Sequence, residues 1–219
     1  MFRNVLYTQW IWARWVLLIL AAIALVLPAF TLASLGGTDL ALVPEYETLN
    51  VMTNLGFGLM LLSCVSAGWV AVSAWSTDLQ GEFVYALTRP VPRWYYLSLR
   101  LAAGVVLGLL VVAALLVGTL GTTAAMRLPD TLTAYPFALS LRYAMAQLVV
   151  YCAVFGFCAL LKPRSQGSAS LAWLMLGVAL IAVVDALTGS YIADAFVRWL
   201  GSSWSPLGVL FGRWNLVDV

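Results

Sequence analysis

The chain alternates long apolar runs with short polar connections. Five of these runs reach the length of about 20 residues that a helix needs to cross the hydrocarbon core of a bilayer. They are Val16 to Leu35, Val51 to Ala74, Leu99 to Ala124, Phe137 to Leu161 and Ala169 to Leu187. The pattern predicts an all-α integral membrane protein with five transmembrane helices. The first run is longer than the apolar part of a signal peptide, so we expect it to remain uncleaved.

Composition agrees with a membrane protein and excludes several kinds of chemistry. Hydrophobic residues make up 63% of the 219 residues and charged residues 9%, which is too little polar surface for a soluble globule of this size. The net charge of +2 gives no reason to expect a nucleic-acid partner. The chain has no histidine, which excludes histidine-based catalysis and histidine-ligated metals. Its three cysteines, Cys64, Cys152 and Cys158, lie in apolar runs and are expected to be packing residues.

Basic residues fall on alternate connections, and this predicts the orientation. One side of the predicted membrane carries Arg3, Arg14, Arg89, Arg93, Arg100, Lys162 and Arg164. The other side carries Asp39, Glu45, Glu47 and Asp130 against Arg127. Because cytoplasmic loops are enriched in Lys and Arg, the first side is predicted to be cytoplasmic. We therefore expect a multi-pass protein of the inner or plasma membrane with its N-terminus in the cytoplasm.

The connection between spans two and three is predicted to form a short amphipathic helix from Trp75 to Arg89. Its apolar face has residues at helical spacing: Leu79, Phe83 and Leu87. A second face carries Asp78, Glu82, Tyr85 and Arg89. A helix lying passively on the membrane would favour basic residues toward anionic lipid, whereas this one has two carboxylates near its middle. The pattern therefore favours a helix that binds another protein.

Two prolines are predicted to end this helix. Pro90 and Pro92 lack an amide donor, and each pushes the preceding residue away from helical geometry. The aromatic residues that follow, Trp94 to Tyr96, are typical of the headgroup level at which the third span would begin.

These residues resemble the corresponding connection of type-2 ATP-binding-cassette (ABC) transporter permeases. The resemblance rests on the order Asp78, Gly81, Glu82 and Leu87, followed by "TRPVPRWYYL" and Arg100. Permeases of that family carry an acidic segment with a glycine, a leucine, a proline-rich turn with an arginine, and a basic residue at the next span. They also begin with an amphipathic interfacial helix, which residues 1–15 match here. The resemblance extends over nearly the whole chain as a single permease domain.

The resemblance implies a membrane subunit of an ABC exporter, which works as a pair of identical or related permeases on two ATPase subunits. The Trp75 to Arg89 segment would be the coupling helix that the ATPase grips. Polar contacts would come from Asp78, Glu82, Arg89 and Arg93. Apolar contacts would come from Leu79, Phe83 and Leu87. Gly81 would permit close approach, while Pro90 and Pro92 would form the exit turn.

The chain is not expected to be an enzyme by itself. It contains no G-x-x-x-x-G-K-[ST] motif, so ATP and magnesium would be bound by the separate ATPase subunit. The long Ala, Leu and Val runs make a hydrophobic or lipid-linked substrate more plausible than a highly charged one. An alternative from a different class is a non-transporting membrane scaffold that uses the same helix only to dock a soluble protein. Substrate-stimulated ATP hydrolysis would distinguish the two.

The C-terminal part departs from the family pattern. Such permeases have six spans, with re-entrant helices outside the membrane between the last two, whereas here only 32 residues, Thr188 to Val219, follow span five. Residues 189–219 are interpreted as an extracytoplasmic segment similar to the re-entrant element. Either the given sequence stops before a sixth span, which we expect, or this member ends outside.

Two further features of the spans allow more than one interpretation. Gly104 and Gly108 form a G-x-x-x-G in span three, which permits close helix packing and is a weak signal for dimerisation. Arg142 and Asp185 lie near the outer ends of spans four and five. They either form an ion pair or extend separately to the interface.

Overall fold

The computed structural model describes residues 1–34, 45–80, 92–126, 132–160 and 216–218. Four long helices dominate: α1 (Phe2–Ser34), α2 (Glu45–Gln80), α3 (Arg93–Ala125) and α4 (Pro136–Leu160). Two short strands, β1 (Thr133–Ala134) and β2 (Val217–Asp218), pair antiparallel. All four helices are long and apolar enough to cross a membrane. The predicted helical architecture is thus confirmed for the described residues, and the four apolar helices support a membrane-embedded protein. The predicted fifth span, Ala169 to Leu187, lies outside the described residues.

The helices run alternately up and down, so that α1 is parallel to α3 and α2 is parallel to α4. The contacts establish this: Gln9 meets Arg100 and Leu25 meets Gly118, whereas Ser66 meets Tyr143. The most extensive helix contacts are between α1 and α3 and between α2 and α4. One end of the bundle therefore carries the start of α1 and α3 with the end of α2 and α4. We call it the Arg100 end.

Helix α2 is the central helix of the bundle. Within its most apolar stretch, Gly58–Trp75, 67% of the residues are buried, against 33% in α1 and α3 and 28% in α4. Because α2 faces other helices rather than lipid on most sides, it can carry polar side chains inside the membrane. Ser63, Ser66 and Ser73 are all buried on it. Ser66 and Ser73 donate their hydroxyls to carbonyl oxygens three residues earlier in the same helix.

The other helices turn large apolar side chains outward. In α1 this face includes Ile19, Val26 and Phe30, which are 56 to 69% exposed. In a soluble protein such a surface would be unfavourable, but against lipid tails it carries no such cost. Pro28 also lies within α1, and its carbonyl oxygen accepts a hydrogen bond from the hydroxyl of Thr31 at 2.7 Å. The exposed apolar faces of α1, α3 and α4 are thus the surface that a bilayer would cover.

The strand pair lies at the end of the bundle opposite the Arg100 end. Thr133 pairs with Asp218 and Ala134 with Val217, and the amide of Tyr135 donates to the carbonyl oxygen of Leu216 at 3.0 Å. Leu216 is completely buried and joins the apolar core. The ribbon therefore attaches residues 216–218 to the point at which α4 begins.

Two predicted boundaries differ in the structure. The predicted interfacial helix, residues 1–15, is continuous with the first span, because α1 runs unbroken from Phe2 to Ser34. At about 1.5 Å per residue a helix of this length measures about 50 Å, well beyond the roughly 30 Å of a hydrocarbon core. Likewise the start of the predicted coupling helix, from Trp75, continues α2 to Gln80 without a break. No Pro or Gly interrupts either junction, so the backbone has no reason to leave helical geometry there.

Candidate functional site

A buried arginine lies where all four helices meet. Arg100 is in the second turn of α3, and only 4% of its surface is exposed. Its guanidinium donates to the carbonyl oxygen of Ala74 near the end of α2. It also lies over two aromatic rings, 4.7 Å from the centre of Tyr96 and 5.7 Å from that of Trp75. Hydrogen bonding and cation–π attraction together compensate part of the cost of removing this charge from water.

The backbone of the same residue connects the remaining two helices. The carbonyl oxygen of Arg100 accepts the side-chain amide of Gln9 from α1 at 3.3 Å. It also accepts the hydroxyl of Tyr151 from α4 at 3.4 Å. We call Gln9, Ala74, Trp75, Tyr96, Arg100 and Tyr151 the Arg100 node. The side chain of Arg100 joins α3 to α2, and its carbonyl oxygen accepts hydrogen bonds from α1 and α4.

Aromatic contacts extend the node along α4. Trp75 packs against Phe155 with ring centres 5.2 Å apart, and Tyr151 packs against Phe155 at 5.7 Å. Tilted aromatic pairs at these separations stabilise a contact by about 0.5–1.5 kcal/mol beyond their buried area. The ends of α2 and α4 are therefore joined by packed rings as well as through Arg100.

Tyr151 reaches the node because residue 104 is a glycine. A Cβ atom at Gly104 would fall directly on the Tyr151 hydroxyl, and one at Gly108 would lie 3.1 Å from the side-chain nitrogen of Gln147. The G-x-x-x-G therefore packs within the chain, against two polar side chains of α4. This is the close packing that the motif predicted, and within the chain the neighbouring helix is α4; dimerisation stays a prediction.

Beyond the node, a small cleft opens between α2, α3 and α4. It measures about 40 Å³ and has Ala67 and Val70 of α2 on its inner wall. The two glycines form part of the α3 wall, and Gln147 and Tyr151 are its polar side chains. Further along α4, Tyr143 is completely buried and its hydroxyl lies 3.4 Å from that of Ser66.

Only some of the predicted coupling residues lie in the part of the chain that the structure describes. Asp78 and Leu79 lie in the last turn of α2, and Arg93 is the first residue of α3. Pro92 precedes α3 in extended geometry, with φ −54° and ψ 136°, and its carbonyl oxygen accepts the amides of Tyr95 and Tyr96. Helix α3 thus begins directly after the second proline, and the predicted end of the coupling helix lies outside the described residues. The other predicted coupling residues, Gly81, Glu82, Phe83, Leu87, Arg89 and Pro90, lie outside the described residues.

The predicted ion pair stays a prediction. Arg142 is half-buried in the second turn of α4, whereas Asp185 lies outside the described residues. Among the residues of the described ranges, no three His, Cys, Asp or Glu side chains come together as a metal site.

The node was predictable from the sequence only in part. Arg100 is a basic residue at the start of a predicted span, but nothing in the sequence predicts that Gln9 and Tyr151 contact it. A lone Gln before an apolar run and a lone Tyr within one are compatible with many positions. Only the packing of the four helices brings them to one carbonyl oxygen.

Comparison of the chain with models of protein families, with curated proteins and with solved structures finds no match. The function must therefore be argued from the residues and their geometry.

Proposed function

We propose that this chain is the transmembrane permease subunit of an ABC exporter. In this proposal two permeases, identical or related, form the path, and separate cytoplasmic ATPase subunits hydrolyse ATP. The observation that carries the proposal is the Arg100 node, because it joins the two ends of the connection in which the motif of that family lies. Ala74 and Trp75 precede the connection, and Tyr96 and Arg100 follow it.

A coupling segment must transmit force to several helices at once. If its two ends could move independently, a push from the ATPase would deform the connection and leave the spans in place. Here α2 and α3 are held together by a charge-assisted hydrogen bond and by the contact between Arg100 and the ring of Trp75. Hydrogen bonds to charged groups typically stabilise by about 1.5–3 kcal/mol. A displacement of the connection would then move both helices together, and through Gln9 and Tyr151 it would act on α1 and α4.

A fifth crossing is part of the proposal, and the positions of Leu160 and Leu216 support it. Helix α4 ends at Leu160, at the Arg100 end of the bundle, whereas Leu216 hydrogen-bonds Tyr135 at the opposite end. In the proposal, the chain between these two residues crosses from one end of the bundle to the other. Ala169 to Leu187 is the apolar run in that stretch with nearly the length of about 20 residues that a spanning helix needs.

The proposed substrate is a hydrophobic or lipid-linked molecule. The described helices offer such a molecule apolar surfaces, and the buried polar groups belong to Ser, Thr, Gln, Tyr and a single Arg. The proposed location is the inner or plasma membrane, with the N-terminus and the Arg100 end in the cytoplasm.

The central experiment changes the middle of the connection. Glu82→Lys reverses a charge that is proposed to meet a cation of the ATPase, and Phe83→Asp places a carboxylate on the apolar face. Loss of a partly buried interfacial charge pair costs about 2–5 kcal/mol, which weakens assembly at least tenfold. We expect both variants to insert in the membrane but to lose the co-purifying ATPase or its substrate-stimulated hydrolysis.

Thr38→Lys is the matched control, since it adds the same charge in the predicted outer connection. It should leave assembly and hydrolysis as in the parent. If Glu82→Lys, Phe83→Asp and the double variant all assemble and hydrolyse ATP like the parent, the exporter proposal loses its main support. Assembly without any substrate effect on hydrolysis, in parent and variants alike, would instead favour the scaffold.

A further inference from the structure

The cleft between α2, α3 and α4 is lined by a buried glutamine, Gln147, whose side chain is only partly hydrogen-bonded. Gln147 is 4% exposed, and its side-chain oxygen Oε1 receives no hydrogen bond from the described part of the chain. Its nitrogen Nε2 makes only a long contact, 3.5 Å, to the carbonyl oxygen of Gly108. In the interior of a membrane protein an unpaired acceptor is unfavourable, so a residue of this kind needs a reason.

The cleft itself opens toward lipid. Its rim is formed by Leu109 of α3 and Leu148 of α4, which are 51% and 45% exposed on the outer face of the bundle. Its floor is apolar, with Val70 of α2 and the bare backbone at Gly108. A molecule dissolved in the bilayer can therefore reach the cleft without passing through water.

The enclosed space fits the polar end of such a molecule rather than its whole length. A volume of about 40 Å³ exceeds the roughly 10–15 Å³ that one water needs, so a hydroxymethyl group and its neighbours can enter. A water in the cleft could bond to Gln147 and to the hydroxyl oxygen of Tyr151, which still accepts while its proton is donated to the carbonyl oxygen of Arg100. A ligand with a hydroxyl group would replace that water.

We propose that this cleft binds a membrane-dissolved amphiphile with a neutral hydroxyl group, whose apolar chain leaves between Leu109 and Leu148. The hydroxyl donates a hydrogen bond to Oε1 of Gln147. The absence of side chains at Gly104 and Gly108 lets Tyr151 and Gln147 lie against the backbone of α3. This inference concerns binding to the chain itself and does not depend on the proposed transport function.

The test uses the purified full-length chain in nanodiscs and two photoreactive probes. One is a hexadecanol with a diazirine in its chain, and the other is the hexadecane with the same diazirine. One neutral hydrogen bond corresponds to about a threefold to tenfold difference in affinity. We expect the alcohol to label peptides of α3 and α4 at the cleft at least threefold more than the alkane does.

Three variants make the test specific. Gln147→Leu should make labelling by the alcohol equal to labelling by the alkane, because it removes the hydrogen-bond acceptor and keeps the side-chain volume similar. Leu109→Trp should reduce labelling by the alcohol by blocking the rim, and its exposed position leaves the core unchanged. Leu120→Trp, at another exposed leucine of the same helix, is the matched control and should label like the parent. Melting temperatures of all variants check that each is folded.

Competition with unlabelled hexadecanol or with a monoacylglycerol then separates a simple alcohol from a glyceride as the source of the hydroxyl. Equal labelling by alcohol and alkane in the parent would overturn the proposal. So would parent-like labelling of the folded Leu109→Trp variant. Either outcome is independent of the ATPase experiment, since no ATPase subunit is present.

Discussion

At the scale of single residues, Arg100 is the buried charge of the described bundle, and removing it from water costs free energy. The structure offsets part of this cost, because the guanidinium contacts a carbonyl oxygen and two aromatic rings. Arginine suits this setting better than lysine, because its planar guanidinium stacks on rings and hydrogen-bonds from its edge at the same time. The geometry therefore depends on the residue type and not only on the charge.

Replacing Arg100 tests this argument. Arg100→Ala should reduce the free energy of unfolding by about 2–4 kcal/mol, because it leaves a cavity and removes a charge-assisted hydrogen bond. Arg100→Lys should cost less than Arg100→Ala but still about 1–2 kcal/mol, since it keeps the charge and loses the stacking. Denaturation of the purified protein in detergent measures both.

Arg14 offers a control for the cation–π part of this prediction. It lies over the ring of Trp15 at 5.2 Å, but both residues are exposed. Arg14→Ala should change the free energy of unfolding by at most about 1 kcal/mol, because exposed cation–π pairs contribute little. If Arg14→Ala and Arg100→Ala had equal effects, the node would not be a special point of the fold.

At the scale of helices, close crossings depend on glycine. Gly118 of α3 is packed so tightly that a Cβ atom would fall on the backbone carbonyl of Leu25 in α1. At Gly104 the obstacle is a tyrosine side chain, which can rotate, whereas at Gly118 it is backbone, which cannot. The G-x-x-x-G pattern predicted a close helix contact at Gly104 and Gly108, but not that the neighbour would be α4. The crossing with α1 was not predicted, because a single glycine in an apolar run does not indicate which helix it faces.

The loss of stability on replacing a glycine by alanine should therefore depend on which atoms the new Cβ would contact. Gly118→Ala should destabilise the bundle by about 1–3 kcal/mol through overpacking. Gly121→Ala lies one turn further on, where a Cβ would meet nothing within 4 Å. This control should be neutral or stabilising by up to about 1 kcal/mol, because alanine favours a helix more than glycine does. Thermal unfolding of the two variants and the parent decides the ranking, and equal loss for both would refute the crossing at Gly118.

At the scale of the whole molecule, the apolar runs predicted the described helices well because lipid imposes a length and a composition on every span. Runs one to four correspond to α1 to α4. Helix boundaries were less predictable: the polar residues before Val16 and after Ala74 suggested separate elements, but polar side chains do not by themselves end a helix. The Arg100 node was not predictable, since it needs the register between four helices, and hydrophobicity along one chain does not specify that register.

The basic residues and the strand pair together predict the topology. The basic residues predict that the Arg100 end lies in the cytoplasm, and the strand pair holds Thr133 and Asp218 together at the other end. In a background with Cys64, Cys152 and Cys158 replaced by alanine, single cysteines report accessibility to an impermeant thiol reagent in intact cells. Cysteines at Thr48, Thr133 and Asp218 should react, whereas one at Gln166 should be shielded until the membrane is permeabilised. Reaction at Gln166 with shielding at Thr48 would reverse the orientation and remove the connection after α2 from the cytoplasm. Reaction at Thr133 with shielding at Asp218 would separate the two strands and contradict the fifth crossing, because residues 161–215 would then begin and end on one side.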